Sequence, residues 1–178
     1  MTDGGRERLT LEPIADDSQV GLLLAALEDA RRRTLRELET VSDEMLASKP
    51  ADPLNGIGQL LYHVALIEAD WLLTDILGLS EDRWPAWVAE EFPIDVRDEA
   101  GRLSDVPAEP RSTALARLAR VRVHLIEALR PMDAVSLHRP RAQPAYDVSP
   151  AWALHHLLQH EAEHRSHIAL VRDLTARR

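Results

Sequence analysis

Cysteine is absent from this chain of 178 residues, and its absence limits the chemistry that the protein can perform. Disulfides, thiolate metal sites and a cysteine nucleophile are excluded, so any thiol chemistry needs a thiol from outside the protein. Basic residues are also in the minority. The formal net charge is −9, and no basic patch with interleaved aromatic residues offsets it. This charge opposes binding to nucleic acid, so we expect no nucleic-acid partner.

Long apolar runs are missing as well. The N-terminal sequence MTDGGRERLTLEP lacks the apolar region of a signal peptide, and no later segment approaches about 18 uninterrupted apolar residues. We therefore expect a cytoplasmic protein with no membrane partner. Its 45% of apolar and 29% of charged residues are ordinary for a globular protein, and the length is sufficient for one domain with a buried core.

Helical periodicity dominates the sequence, and no segment alternates convincingly as a strand. The apolar spacing predicts four long helices, over about 18–41, 57–77, 112–130 and 149–176. Ser18 is a plausible N-cap of the first helix, and Ser149-Pro150 is a strong start signal for the last one. We interpret Arg31–Arg33 as a solvated face of the first helix. The pattern predicts an all-α protein that folds as a four-helix bundle.

Two irregular segments separate these helices. Residues 79–110 are punctuated by proline but are too apolar in places for a flexible linker, so we expect a loop with a short helix packed on the bundle. Residues 132–148 contain several turn-forming residues. We divide the chain into an N-terminal extension, 1–17, and a single bundle domain, 18–176, in which 79–110 is an irregular insertion.

Five of the eight histidines lie close together in the last predicted helix. His160 and His164 are separated by four residues, so in a helix both rings leave the same face and can bind one divalent ion. His156 is eight residues from His164, about 12 Å along the helix, and cannot join both in one site. His155 points to another face, and His167 could either surround the site or lie on the surface.

A third metal ligand has to come from another helix, and the candidate is His63 in GIGQLLYHVALIEADW. A lone histidine on an apolar face is more often a hydrogen-bonded core residue, but opposite an HxxxH pair it favours a metal shared by two helices. His124 and His138 have no comparable neighbours and are interpreted as structural or exposed. Glu68 and Trp71 could line the site, although packing or a surface position explains each of them more simply.

The string HEAEH also matches HExxH, the zinc-protease motif, in which Glu161 would be the general base. A protease of this kind needs a third protein ligand downstream, and here only Asp173 follows as an acid. No predicted strand could bind an extended peptide substrate. We therefore disfavour a protease and interpret Glu161 as a residue on an exposed helix face.

Two segments resemble the DinB/YfiT-like metal-binding four-helix bundles. GIGQLLYHVALIEADW is similar to the second helix of that family, and WALHHLLQHEAEHRSHIALVRDL is similar to its last helix. Position by position, His63, His160 and His164 correspond to the three metal-ligand histidines of the family. Ser166 and His167 stand where many relatives have Gly-Gln, which leaves the ligands intact but alters the outer part of the pocket.

The resemblance implies an up-down-down-up bundle, usually a homodimer, with a three-histidine metal site whose open positions hold water. Members with assigned activity include S-transferases and isomerases that use low-molecular-weight thiols such as bacillithiol or mycothiol. We therefore expect a divalent-metal-dependent enzyme that acts on a small molecule, with zinc as the first choice of ion and nickel, iron or cobalt as alternatives. No catalytic residue is assigned.

Two other functions stay open. One is a non-enzymatic metal-binding or stress-response bundle, whose ion only holds the helices together, and the other is a dimeric scaffold without metal. Metal content separates these two, and open coordination positions beside a pocket distinguish an enzyme from a structural site. A homodimer is expected because six leucines widen the apolar surface beyond one seam per helix: Leu22, Leu66, Leu72, Leu73, Leu157 and Leu158.

Overall fold

The computed structural model describes residues 9–51 and 53–177. In chain order its α-helices are α1 (Ser18–Glu37), α2 (Asp43–Ala47), α3 (Ile57–Asp70), α4 (Ala86–Glu91), α5 (Arg111–Leu129), α6 (Ala134–His138) and α7 (Pro150–Thr175). Two short strands are β1 (Arg141–Ala142) and β2 (Asp147–Val148). The first eight residues of the predicted N-terminal extension, 1–17, lie outside the described residues. Within the described ranges, no helix is long and apolar enough to cross a membrane.

The long helices α1, α3, α5 and α7 form the predicted four-helix bundle, and the side chains that meet between them give their directions. The contacts are Arg31–Glu161 and Glu37–Arg172 between α1 and α7, His63–His164 and Trp71–Trp152 between α3 and α7, and Tyr62–Arg117 and Glu68–Arg122 between α3 and α5. Between α1 and α7, and between α3 and α5, the numbers of the paired residues increase together, so each of these two pairs of helices is parallel. Between α3 and α7 one number increases as the other decreases, so these two helices are antiparallel. The order is therefore up-down-down-up.

The parallel arrangement of α3 and α5 explains the long irregular segment 79–110. Two consecutive helices with the same direction need a connection that returns the chain along the bundle. This connection contains α4 and packs on α3 through Phe92, whose ring meets Tyr62 edge-to-face at 5.4 Å. The Tyr62 hydroxyl donates to the Ile94 carbonyl at 2.7 Å. A short helix packed on the bundle is thus observed where one was expected.

The ends of the helices agree with the sequence in part. Asp17 caps α1, because its carboxylate accepts two backbone N–H groups at 2.8 and 3.2 Å, so the choice of Ser18 was wrong by one residue. The helix also stops at Glu37, earlier than predicted. Ser149 caps α7 as predicted, accepting the N–H of Trp152 at 3.3 Å.

The second long helix changes its hydrogen-bond pattern near its end. α3 continues directly into a π-helix, Trp71–Ile76, beyond which the N–H of Leu77 bonds to the carbonyl of Leu72 at 2.9 Å, five residues back. Gly78 then ends the helix with a φ of 69°, a conformation that glycine adopts without steric cost. The sequence predicted this end but gave no sign of the π turn.

Residues 132–148 contain more regular structure than expected. They include α6 and an antiparallel hairpin in which Arg141 pairs with Val148 and Ala142 pairs with Asp147. The expectation of no strand was therefore wrong at this hairpin, whose strands are too short to show an alternating pattern in the sequence.

The core consists of two apolar clusters that fill opposite halves of the bundle. Leu72, Leu73 and Leu157 belong to these clusters and are at most 3% exposed. They were expected to widen the apolar surface, and this part of the reasoning toward a homodimer was wrong. Leu22 does lie on the surface, with 44% of its area exposed, whereas Leu66 and Leu158 are only partly buried.

Candidate metal centre

The three histidines chosen from the sequence meet between α3 and α7. His63 comes from α3, and His160 and His164 come from successive turns of α7. The ring centroid of His63 lies 4.8 Å from that of His160 and 4.7 Å from that of His164, and the two rings of α7 are 4.4 Å apart. One nitrogen from each ring lies within 4.8 Å of the other two. The fold therefore brings together the whole predicted ligand set.

The spacing of the ring nitrogens is compatible with a shared ion. The Nε2 atoms of His63 and His160 face each other at 2.9 Å. Two nitrogens that bind one ion at about 2.1 Å are about 3.0 Å apart at a right angle and about 3.4 Å apart at the tetrahedral angle of zinc, so this pair needs at most a small widening to share an ion. The Nδ1 atom of His164 lies 3.4 Å from Nδ1 of His167, which leaves its Nε2 atom available as a ligand.

One atom of the cluster lacks a protein partner. Nδ1 of His63 is buried, and no residue in the described part of the chain hydrogen-bonds to it. Buried polar atoms are nearly always satisfied. The nitrogen of His63 that faces His160 is Nε2, on the other side of the ring, so an ion bound there would not satisfy Nδ1. The case for a metal ion therefore comes from the three nitrogen donors of the cluster, which suit zinc and other divalent transition metals.

Burial keeps these imidazoles neutral at pH 7. Loss of solvent contact, and then repulsion from His164 and Arg97, lowers the pKa of His63 to about 4. Loss of solvent contact, followed by repulsion from His164 and His63, lowers the pKa of His160 to about 3. The pKa of His164 is also lowered, first by burial and then by His167. Neutral imidazole is the form that binds a metal, so the three rings are in the binding form without losing protons.

A cavity of about 390 Å³ opens at the histidine cluster and gives small molecules access to it. Besides the three histidines, its walls include Asn55, Trp71 and the exposed Arg97. The guanidinium of Arg97 donates to the Gly101 carbonyl at 2.8 Å and brings a positive charge to the rim. Trp71 therefore does line the site. These neighbours add a cationic and an aromatic side chain to the cavity wall.

The remaining histidines are not part of the three-residue cluster, as predicted for His155 and His156. His156 stacks against Trp71 with ring centroids 4.3 Å apart and forms part of the cavity wall. His155 is exposed. His124 stacks on a tryptophan at 4.3 Å, and His138 is hydrogen-bonded to a glutamine at 2.8 Å. His167, for which two positions were left open, is exposed, and its Nδ1 lies 3.4 Å from Nδ1 of His164 at the edge of the cluster.

A network of four buried charged side chains crosses the centre of the bundle, with one residue from each long helix. Glu161 accepts hydrogen bonds from Arg31 at 2.7 Å and from Arg122 at 2.9 Å. Glu68 accepts from the same two arginines at 2.7 to 2.9 Å. All four residues are at most 6% exposed. These four side chains are neutral together, because two carboxylates meet two guanidinium groups, and the half-buried Glu28 adds a further carboxylate that accepts from Arg122 at 2.9 Å.

This network corrects two interpretations made from the sequence. Arg31 was placed on a solvated face, and Glu161 on an exposed one, but both are buried. Only Arg32 and Arg33 lie on the surface, where each pairs with Asp29. Glu161 is held by two arginines on the side of α7 away from the cavity, so it does not act as the base of a zinc protease.

Glu68 belongs to the same network and not to the surface. Burial raises the pKa of this carboxyl, but the charges of Arg122 and Arg31 and their hydrogen bonds outweigh it, and the pKa is lowered overall. The sequence does carry a signal for the two buried arginines, because each occupies a position on the apolar face of its helix. Arg31 follows the buried Leu27 by four positions, and Arg122 follows the buried Leu118 by four, so each lies on an apolar stripe of its helix.

The fold and the site together define a class of protein, a four-helix bundle with a three-histidine cluster in an open cavity between two helices. The family model of the DinB superfamily matches residues 26–168, which is most of the chain. The chain therefore belongs to the DinB superfamily. No curated protein sequence matches it significantly.

A solved structure has a similar fold. It is described as the conserved protein of locus from Enterococcus faecalis, and it is 18% identical to this chain, with a TM-score of 0.66. The similarity covers 88% of this chain and 96% of that chain. At this level of identity the comparison supports the bundle architecture and gives no information on activity.

Proposed function

We propose that this DinB superfamily protein binds one divalent metal ion through His63, His160 and His164 and is an enzyme that acts on a small molecule. The main support is the convergence of three neutral imidazoles in an open cavity. Zinc is the first choice, with nickel, iron or cobalt as alternatives. An ion bound by three imidazoles keeps open positions and acidifies a bound water or thiol.

The proposed nucleophile is an external low-molecular-weight thiol, as in S-transferases and isomerases of this family. The chain has no cysteine, so it cannot supply the thiol itself. A second cavity of about 560 Å³ adjoins the histidine cavity and shares Asn55, Arg97 and Leu103 with it. Two cavities of this size can hold a thiol cofactor and a second substrate together.

Arg97 is the residue of the chain best placed to hold such a thiol. Its guanidinium lies on the wall shared by the two cavities and can bind a carboxylate through two parallel hydrogen bonds. Its charge also favours a thiolate over a thiol in the histidine cavity. Lys49 and Arg102 line the larger cavity too, but they are paired with Asp105 and Asp98 respectively.

Metal analysis tests the first half of the proposal. Protein purified without an affinity tag, and then exposed to zinc, nickel or cobalt, should contain about one ion per chain by elemental analysis. The His63→Ala variant should contain almost none, because two imidazoles compete poorly with water for a divalent ion. Wild-type protein that takes up none of the three metals would overturn the proposal.

Thiol binding tests the second half. Cobalt-loaded protein titrated with a low-molecular-weight thiol should develop sulfur-to-cobalt charge-transfer absorption, and the thiol should be consumed when an electrophile is added. Arg97→Ala should weaken thiol binding while keeping the full cobalt content. A stoichiometric ion without any thiol signal or turnover would favour the alternative, a non-enzymatic metal-binding bundle of the stress-response kind.

A further inference from the structure

An aromatic cavity lies beside the histidine cavity and has no role in the function proposed above. Its volume is about 360 Å³, and the indole of Trp71 forms part of the wall of both cavities. The other walls are Tyr146, Asp147, Val148 and Trp152. The two indole rings are 5.5 Å apart with their planes inclined at 31°, so they form adjoining surfaces of one concave wall.

The aromatic side chains of this cavity are unusually accessible. Trp152 is 52% exposed and Tyr146 is 49% exposed, although large apolar groups generally gain free energy from burial. One side of the Trp152 ring is occupied by His156, whose ring stacks parallel to it within 5° at 5.4 Å. Exposed apolar groups gathered around a concavity, and not scattered singly, are typical of a binding site.

The aromatic cavity is built by two unusual elements that are fixed to each other. The Tyr146 hydroxyl donates to Oδ1 of Asp75 at 3.1 Å, and Nε2 of Gln143 donates to the Thr74 carbonyl at 3.0 Å. These bonds join the β1–β2 hairpin to the π-helix that begins at Trp71. π turns are rare and often occur at functional sites, and this one lies where the two cavities meet.

Charge restricts what the aromatic cavity can bind. Asp147 is part of its wall, and Asp75 is buried directly behind Tyr146. The chain as a whole carries a net charge of −9. No basic residue lines this cavity among the residues described, so an anionic group there would be repelled without compensation.

We propose that the aromatic cavity binds a flat apolar group that carries no negative charge, and that this group is part of the substrate whose reacting end lies at the histidines. Indole and phenol faces bind flat rings by stacking, and about 360 Å³ accommodates one or two fused rings. The shared Trp71 wall places such a group next to the histidine cavity. Only the assignment to a substrate rests on the proposed function, because binding in the aromatic cavity needs none of the three histidines.

Calorimetric titration with three probes tests this inference: 2-naphthol, which is flat and neutral, 2-naphthoate, which is flat and anionic, and cyclohexanol, which is neither flat nor anionic. The wild-type protein should bind 2-naphthol at least about tenfold more tightly than the other two. Trp152→Ala should lower the affinity for 2-naphthol about tenfold, which corresponds to the loss of one ring-stacking contact. Val123→Ala is the matched control, since Val123 is 51% exposed on α5 and lines neither cavity.

The His63→Ala variant separates this inference from the proposed function. If it loses the metal and still binds 2-naphthol, the aromatic site is independent of the ion, as inferred. If no protein binds metal but 2-naphthol binding depends on Trp152, the proposed function fails and the aromatic site stands. The inference would be overturned if wild type and Trp152→Ala had equal affinity for 2-naphthol and unchanged circular dichroism. Tight binding of 2-naphthoate would overturn the claim that the aromatic cavity excludes anionic groups.

Discussion

Oε1 of Glu161 accepts a hydrogen bond of 2.7 Å from Nε of Arg31 in the middle of the bundle, one residue after His160. Adjacent residues of a helix point about 100° apart, so His160 can face the cavity while Glu161 faces the other helices. The segment HEAEHRSH therefore combines two roles. Its histidines line the candidate metal centre, and its first glutamate ties α7 to the rest of the bundle.

Replacing Glu161 by alanine should lower the free energy of unfolding by about 3–5 kcal/mol, because it leaves the two buried guanidinium groups with Glu68 as their only shared carboxylate and with the half-buried Glu28 beside Arg122. Urea denaturation at pH 7 measures this change. Glu163→Ala is the matched control, since Glu163 lies exposed on the same helix, and its substitution should have little effect. Equal stability of the two variants would contradict the buried network.

The bundle and the histidine cluster could be predicted because both depend on regular helical spacing. Apolar periodicity marks the four long helices, and the separation of four residues between His160 and His164 fixes two ligands on one face. His63 could be added because a polar ring on an apolar stripe needs a partner. Each of these signals comes from the spacing of residues within one helix, and that spacing is the same in the folded bundle.

The buried network and the π turn could not be predicted in the same way. Arg31 and Arg122 lie on apolar stripes, but a single charged residue there is understood only when its partners on other helices are known. Arg31 also stands in a run of three arginines, two of which are exposed, and this run suggested a solvated face. The π turn at Trp71–Ile76 is hydrogen-bonded to the β1–β2 hairpin, 65 or more residues later in the chain, and helical spacing gives no sign of such a contact.

Substitutions within α7 should separate ligands from neighbours. His160→Ala and His164→Ala should lose the stoichiometric ion, because each removes one of three donors. His155→Ala should keep it, and so should His156→Ala, even though His156 lies in the wall of the same cavity. Elemental analysis of the four variants after equal exposure to zinc gives the comparison. If the His160→Ala and His164→Ala variants kept the ion while His155→Ala or His156→Ala lost it, the ligand set would be wrong.

The chain should form a homodimer in solution. Exposed leucines remain on the outer faces of α1 and α7, where Leu22, Leu170 and Leu174 each expose at least 40% of their area. An interface that covered them would remove apolar surface from water. Light scattering coupled to gel filtration should give twice the mass of 20.0 kDa at micromolar concentration. A monomer mass under these conditions would contradict this prediction.

The stability of the metal-free protein should fall as the pH drops from about 6.5 towards 4. In the unfolded chain a histidine has an ordinary pKa near 6.5, whereas burial and neighbouring positive charges lower the pKa of His63 to about 4 in the fold. Between these values the unfolded chain binds a proton that the folded chain does not, so stability present above pH 6.5 is lost at lower pH. The contribution of His63 to this loss of stability is less than about 1.4 kcal/mol per pH unit.

Urea denaturation of the metal-free protein at several pH values isolates this contribution when wild type and His63→Leu are compared. The variant should lose less stability than wild type between pH 6.5 and 4, since leucine binds no proton in either state. His155→Leu removes an exposed histidine from α7 and should follow the wild-type curve. In saturating zinc, the stability of the wild-type protein should fall more steeply at acid pH, because protons then also displace the bound zinc that stabilises the fold. Parallel curves for wild type and His63→Leu would show that His63 is not held neutral in the folded protein.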